Sequence, residues 1–219
     1  MQVAIAGGHG QIAMRLTRLL VARGVSVVSL IRNPAHAEDI RALGGKPVVC
    51  DIELASAPEI AETIAGADAT VFAAGAGPGS GAARKLTVDR DGAIKLLQAS
   101  RSAGVRRYLV ISSIGAEDPP DQDDVFSVYL RAKAEADAAV EASEEEWIIL
   151  RPGHLTDDPG RGRVRIDAEP VHGSVPRDDL AATIDALLQT EDARLILYVN
   201  GGEQTIEEAL VALPRRARE

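Results

Sequence analysis

The sequence predicts an α/β fold, a doubly wound parallel sheet with helices on both faces, on three observations. Short apolar strand patterns alternate with amphipathic helical patterns through all 219 residues. The strand patterns are near-continuous apolar runs, as strands buried on both faces require. The 46% hydrophobic content rests on Ala, Val, Ile and Leu with only 3% aromatics, so the helices can pack closely on a sheet. A single domain over 1–219 is expected, ending in a small C-terminal extension; no repeat or linker interrupts it.

The first strand, Val3 to Ala6, breaks into Gly7-Gly8-His9-Gly10 and restarts at once as a helical pattern from Gln11 to Arg23. Val25 to Ile31 is a second strand, so the opening is a βαβ unit. Asn33 is placed to cap a helix with Pro34 in its first turn, running to about Leu43 before Gly44-Gly45. Pro47 to Cys50 makes the third strand, and a short helix near Pro58 to Ala65 leads to the fourth, Asp68 to Ala73. Residues 74–81, with four glycines and Pro78, form a loop. A long helix from about Ala83 to Ala103 precedes strand five, Arg107 to Ser112.

The clustered acids and prolines of residues 117–124 exclude a strand, a helix follows from Val125 to Ala142, and Glu144-Glu145-Glu146 reads as its solvated end. Trp147 to Leu150 is strand six, and residues 152–162 are irregular. Val164 to Ile166 forms a short strand, Arg177 to Gln189 a helix, Leu195 to Val199 a last strand and Ile206 to Leu213 a last helical turn or two. The predicted strand order is 3-2-1-4-5-6, extended by a seventh.

The formal charge of −9, with no basic run interleaved with aromatics, would repel a phosphate backbone, so no nucleic-acid partner is expected. No apolar run approaches the roughly 18 residues of a membrane span, and the start lacks the regions of a signal peptide; a cytoplasmic protein with no membrane partner is expected. Cys50, the single cysteine, reads as a small core residue. The four histidines, His9, His36, His154 and His172, have no paired ligand spacing, so no metal site is predicted.

The glycines between the first strand and helix permit a tight turn and close approach to a ligand, and the helix start offers free N–H groups and a positive dipole end that suit a pyrophosphate. Gly8-x-Gly10-x-x-Ala13 fits the dinucleotide fingerprint with alanine in its third place, and Gly7-x-x-Gly10-x-x-Ala13 fits a spacing variant. Gly7, Gly8, Gly10, Gln11 and Ile12 are therefore candidate cofactor contacts. Ligands of such sheets lie beyond the carboxyl ends of the strands. The second strand ends in Arg32, and Val25 to Ile31 contains no acid to take a ribose 2′-OH. A guanidinium there suits a 2′-phosphate, which favours NADP(H) over NAD(H); the other reading is a solvated arginine at a helix start.

Asp51 and Ile52, after the third strand, can receive the adenine, although Asp51 equally suits a turn cap. Ala73-Ala74-Gly75, after the fourth, allow close backbone approach to a flat ligand or close packing. Strand five ends in Ser112-Ser113, and the next helix carries Tyr129-Leu130-Arg131-Ala132-Lys133. Residues i and i+4 share a helix face, so the Lys133 ammonium can lie near the Tyr129 phenol and favour its phenolate, giving a proton donor or acceptor.

With these motifs the chain resembles the short-chain dehydrogenases/reductases, in their atypical branch of NmrA-like and flavin-reductase-like NAD(P)-binding proteins of Rossmann fold. The resemblance covers nearly the whole chain and rests on residues 7–13, Arg32-Asn33-Pro34, Cys50-Asp51, Val110-Ile111-Ser112-Ser113, Tyr129 to Lys133 and Leu150-Arg151-Pro152-Gly153. It implies that Ser113 holds a substrate oxygen, Tyr129 exchanges its proton, Lys133 holds the nicotinamide ribose and tunes the tyrosine, and Pro152 lies by the nicotinamide. Where many relatives carry an asparagine that supports a proton relay, this chain has Asp89.

The reading that follows is an NADP(H)-dependent oxidoreductase, a monomer or homodimer, acting on a small carbonyl, quinone-like or conjugated substrate held by loops at 114–126 and 154–176. His154, just past Pro152-Gly153, can touch that substrate or stand solvated. The alternatives are an NmrA-like NADP(H) sensor without turnover and an NAD(P)-dependent epimerase. Such sensors often lack the Tyr-x-x-x-Lys pair, and the short stretch after Gly153 leaves little room for a nucleotide sugar.

Overall fold

A computed structural model describes residues 1–77 and 79–213; Pro78 lies outside the described residues, as does 214–219. The chain runs β1 (Gln2–Ala6), α1 (Gln11–Ala22), β2 (Ser26–Ile31), a 3₁₀ turn at Pro34–His36, α2 (Ala37–Ala42), β3 (Lys46–Val49), α3 (Ala57–Thr63) and β4 (Ala69–Phe72). Its second half runs α4 (Gly81–Arg84), a π-helical turn at Lys85–Arg90, α5 (Asp91–Ser102), β5 (Arg107–Ile111), α6 (Val125–Glu141), β6 (Glu146–Pro152), β7 (His154–Thr156) and β8 (Arg163–Asp167). It closes with β9 (Ser174–Pro176), α7 (Arg177–Leu187), β10 (Leu195–Gly201), β11 (Gln204–Thr205) and α8 (Ile206–Val211).

The main sheet has the order β11-β8-β10-β6-β5-β4-β1-β2-β3. The predicted 3-2-1-4-5-6 run is present and parallel, and β10 adds the seventh parallel strand beside β6. Beyond it β8 returns antiparallel to β10, and β11 pairs with β8. Val3, Ile5, Val71 and Leu109 point to the face covered by α1 and α7, while Ala4, Phe72, Tyr108 and Val110 point to the face of α3, α5 and α6. That alternation across one sheet makes two cores from the same apolar runs. The Tyr108 hydroxyl, fully buried, donates to the Ala93 carbonyl at 2.9 Å and ties β5 to α5. Arg15 to Asp178 at 2.6 Å and Arg23 to Asp185 at 2.7 Å lace α1 to α7.

Three expectations need correction. The stretch from Ala83 to Ala103 is not one α-helix, because six residues, Lys85–Arg90, take π-helical bonding between α4 and α5. Residues 152–162 are not wholly irregular: β7 pairs in parallel with β9 as a second, two-stranded sheet, too short to leave a period in the sequence. Glu144 to Glu146 is not a solvated helix end. Glu145 is buried, and Glu146 begins β6 by donating its N–H to the Arg106 carbonyl at 2.8 Å.

Candidate active site

The first βα turn is shaped by what a side chain would strike. Gly7 has φ of +76°, and a Cβ there would fall 2.6 Å from the Ala74 Cα; at Gly8 it would fall 2.5 Å from the Ser29 Cβ. The loop therefore lies directly on β2 and on the segment after β4. Its own amides are spent: Gly8 N–H donates to the Leu30 carbonyl at 2.9 Å and Gly10 N–H to Gly7 at 2.7 Å. The amides of Gln11, Ile12 and Ala13 precede the first helical bond, from Met14 N–H to the Gly10 carbonyl. Gly10 offers α1 no side-chain cap, and the first turn holds no acid. Such a helix start has unspent donors and nothing negative to repel an anion.

Beside this turn lies a cleft of about 260 Å³ that brings together Gly7, Gly10, Arg32, Asp51, Ile52, Ala73, Ala74 and Gly75 of the predicted cofactor residues. Gly8, Gln11, Ile12, Lys133 and Pro152 stand outside that lining. Arg32 directly follows β2, is exposed, and makes no hydrogen bond or ion pair among the described residues. Asp51 does cap its turn, accepting from Glu53 N–H at 3.0 Å, and Ile52 is buried on the α3 and α5 side of the cleft. The Arg84 guanidinium, 2.7 Å from Glu53, and the Thr87 hydroxyl hold that carboxyl below the usual carboxylate range. Burial pushes the Cys50 thiol up, which disfavours the thiolate and agrees with a packing role.

The second half of the site gathers at the ends of β5 and β6. Ser112, buried, donates to Asp137 at 2.7 Å. Arg151 donates to the same carboxylate at 3.0 Å and to the Tyr198 hydroxyl at 2.8 Å. Burial pushes Asp137 upward against the pull of Arg151 and Ser112. Ser112 is thus spent on the framework. Ser113 is half-buried, and its hydroxyl donates to the neighbouring Ile114 carbonyl at 3.0 Å.

Asp124 caps α6 through the N–H groups of Phe126 and Ser127, fixing the helix that carries Tyr129 and Lys133. The Lys133 ammonium is 5.9 Å from the Tyr129 ring centroid, donates to the Ile111 carbonyl at 2.8 Å and lies 3.6 Å from Asp89. Asp89, also buried, accepts from Ala76 N–H at 3.1 Å. It is therefore the counter-ion of Lys133 and a tether for the segment after β4. The Pro152 carbonyl, at the end of β6, accepts from Ile114 N–H at 3.2 Å.

Sequence reasoning missed Lys85. Its ammonium lies 5.5 Å from the Tyr129 ring centroid and donates to the Gly77 carbonyl at 2.8 Å, so Tyr129 has two cationic neighbours. Nothing in the sequence linked Lys85 to Tyr129, forty-four residues on in another helix, since the two meet only through the packing of α6 on the π-helical turn. Also missed were Arg84, His9 and His36 in the cleft lining. The signal available was position, His9 inside the glycine motif and His36 just beyond Arg32. His154 begins β7, exposed, with its N–H on the Gly173 carbonyl at 2.8 Å. The two halves of the site abut where Phe72 lies under the Lys133 ammonium and Asp89 bridges Lys133 to Ala76.

Residues 7–191 match the family profile described as NAD(P)H-binding. The uncharacterized sugar epimerase YhfK of Bacillus subtilis is 33% identical over 215 residues, 97% of this chain and 100% of that protein. A solved structure from Bacillus halodurans, assigned by name to the NAD-dependent epimerases/dehydratases, superposes with a TM-score of 0.88 at 31% identity, covering 96% of this chain and 98% of its own. The oxidoreductase ylbE from Lactococcus lactis superposes with a TM-score of 0.87 at 28% identity, covering 97% and 96%.

Proposed function

The chain belongs to the NAD(P)H-binding family, as an oxidoreductase of the atypical short-chain dehydrogenase/reductase kind, and from that premise we propose that it uses NADP(H) to reduce a small carbonyl, quinone-like or conjugated substrate. The observation that supports turnover is Tyr129, whose ring centroid lies 5.5 Å from the Lys85 ammonium and 5.9 Å from that of Lys133. The residues present fit a dinucleotide: unspent amides at the start of α1 for the pyrophosphate, glycines where any side chain would collide, and an unpaired guanidinium at the end of β2. A bound nicotinamide supplies or accepts the hydride.

The chain's own groups do the rest. Tyr129 holds the proton at its phenol oxygen and passes it to the substrate oxygen, while the Ser113 hydroxyl turns from the Ile114 carbonyl to orient that oxygen. Lys133 and Lys85 place two ammonium groups beside the Tyr129 ring, and Asp89 keeps Lys133 in place. NADP(H) preference rests on Arg32, which makes no hydrogen bond or ion pair among the described residues and gives none up to take a 2′-phosphate.

The test is NADPH oxidation by the purified protein across a panel of carbonyls and quinones, run beside Tyr129→Phe. Turnover by the wild type that collapses in the variant, with NADPH affinity kept, is the expected result. No turnover of any panel member, together with nucleotide-dependent capture of a protein partner, would leave the sensor reading in its place.

A further inference from the structure

Neither His9 nor His36 takes part in the chemistry above, yet their rings stack at the mouth of the nucleotide cleft, centroids 3.7 Å apart and planes 14° from parallel. His9 comes from the glycine loop and His36 from the 3₁₀ turn that follows Arg32, so the stack bridges the two loops flanking the cleft. Asp39 of α2 meets the His9 Nε2 at 2.8 Å and fixes that ring. The Asn33 side-chain oxygen accepts from Ala35 N–H at 3.0 Å, and its amide N–H donates to the His36 Nε2 at 3.5 Å, a long bond that a protonated ring exchanges for one to an anion.

The cleft lining therefore includes Arg32, Asn33 and His36, which follow one another closely after β2. The charged groups facing it are few. Asp39 is engaged by His9, Glu53 is bonded by Arg84 and also feels the Arg32 charge, and Asp51 caps its turn. A phosphate monoester carries close to two negative charges near neutral pH, and Arg32 supplies only one positive charge. Imidazole is the side chain that can add the second by taking a proton from solvent.

We propose that His36, held in plane by its stack on His9, joins Arg32 in binding the 2′-phosphate of NADP(H) and takes up a proton as it does so. This rests on the NADP(H) reading and makes discrimination between NADPH and NADH depend on pH. A ring whose protonated form is favoured by the bound phosphate adds affinity at the acid end of its range and loses it as pH rises. His9 is a positioning residue in this scheme.

The experiment measures Kd for NADPH and NADH on the full chain, without substrate, at about pH 6.5 and about pH 8.5. The wild-type preference for NADPH should fall about tenfold across that interval. His36→Gln keeps an N–H donor but takes no proton, so its preference should be lower at the acid end and lack the tenfold fall, with NADH affinity unchanged. The phosphate's own ionisation is common to both proteins and cancels in the comparison. A wild-type preference that does not move with pH, a His36→Gln profile identical to wild type, or equal loss of NADPH and NADH affinity in the variant would each overturn the inference. Preference lost in Arg32→Ala but untouched in His36→Gln removes the histidine and leaves the NADP(H) reading standing. Wild-type indifference to the two nucleotides removes both.

Discussion

Gly8 has a crowded neighbour in Ser29, because the loop that must hug a ligand is itself pressed on β2. Gly8→Val forces either the loop or Ser29 to move, with a cost of about 1–3 kcal/mol for overpacking. It should lose nucleotide binding more than fold, which calorimetry beside a thermal melt resolves. Tyr129→Phe removes only the hydroxyl, so turnover should fall roughly a hundred to ten-thousandfold with NADPH affinity retained. Equal turnover in the two proteins would show that the substrate takes its proton from water. Lys85→Met tests the second ammonium: a fall in turnover roughly tenfold or more, at unchanged NADH affinity, separates a role at the tyrosine from one at the nucleotide.

At this scale much of the site was legible. Gly7, Gly10, Arg32, Asp51 and Ser113 stand where strand ends placed them, since position after a buried strand is a one-dimensional fact. Which hydroxyl or ammonium is already spoken for is not. Ser112 and Ser113 are adjacent and chemically alike, and only packing shows that Asp137 takes the first.

Among the elements, α6 carries Tyr129 and Lys133, and Asp124 starts it. The Ser127 hydroxyl and the N–H groups of Ser127 and Phe126 hold the Asp124 carboxyl below its usual range. Its contribution is present above the unfolded chain's carboxylate pKa and is lost as pH falls through the lowered folded value. Asp124→Ala should lower the Tm by a few degrees near neutral pH, and the gap to wild type should close in acid; melts across pH check this. The helix was legible from its cap and period. The π-helical turn before α5 was not, although it carries Asp89, which is buried against Lys133, a residue far along the chain. The β7 and β9 pair also escaped, with three residues in each strand and partners brought together only by the return of the chain.

For the molecule as a whole, the nucleotide cleft is bounded by β1, β2, β3 and β4 ends at once, so a ligand there ties together elements that span half the sheet. A ligand that binds only the folded chain, present at a hundred times its Kd, adds about 2.7 kcal/mol. That predicts a rise in Tm of roughly 5–10 °C with NADPH for a chain of this size, read by a thermal-shift melt. Overall topology was the most legible property of all. Strand order follows from the alternation of strand and helix and the handedness of crossovers, which need no side-chain detail. The antiparallel return of β8 was not implied by that rule, since a strand at the end of a wound sheet is free to run either way.

The ends of that sheet carry a further consequence. A wide sheet offers bare backbone at its first and last strands, and another chain can add to it there and start a fibril. Here one border is β3, four residues long, in which Lys46 is exposed and Pro47 has no N–H to offer; the other is β11, two residues long. Neither gives an incoming strand an unbroken row of donors and acceptors, so the apolar strands between them stay sealed from edge-to-edge growth.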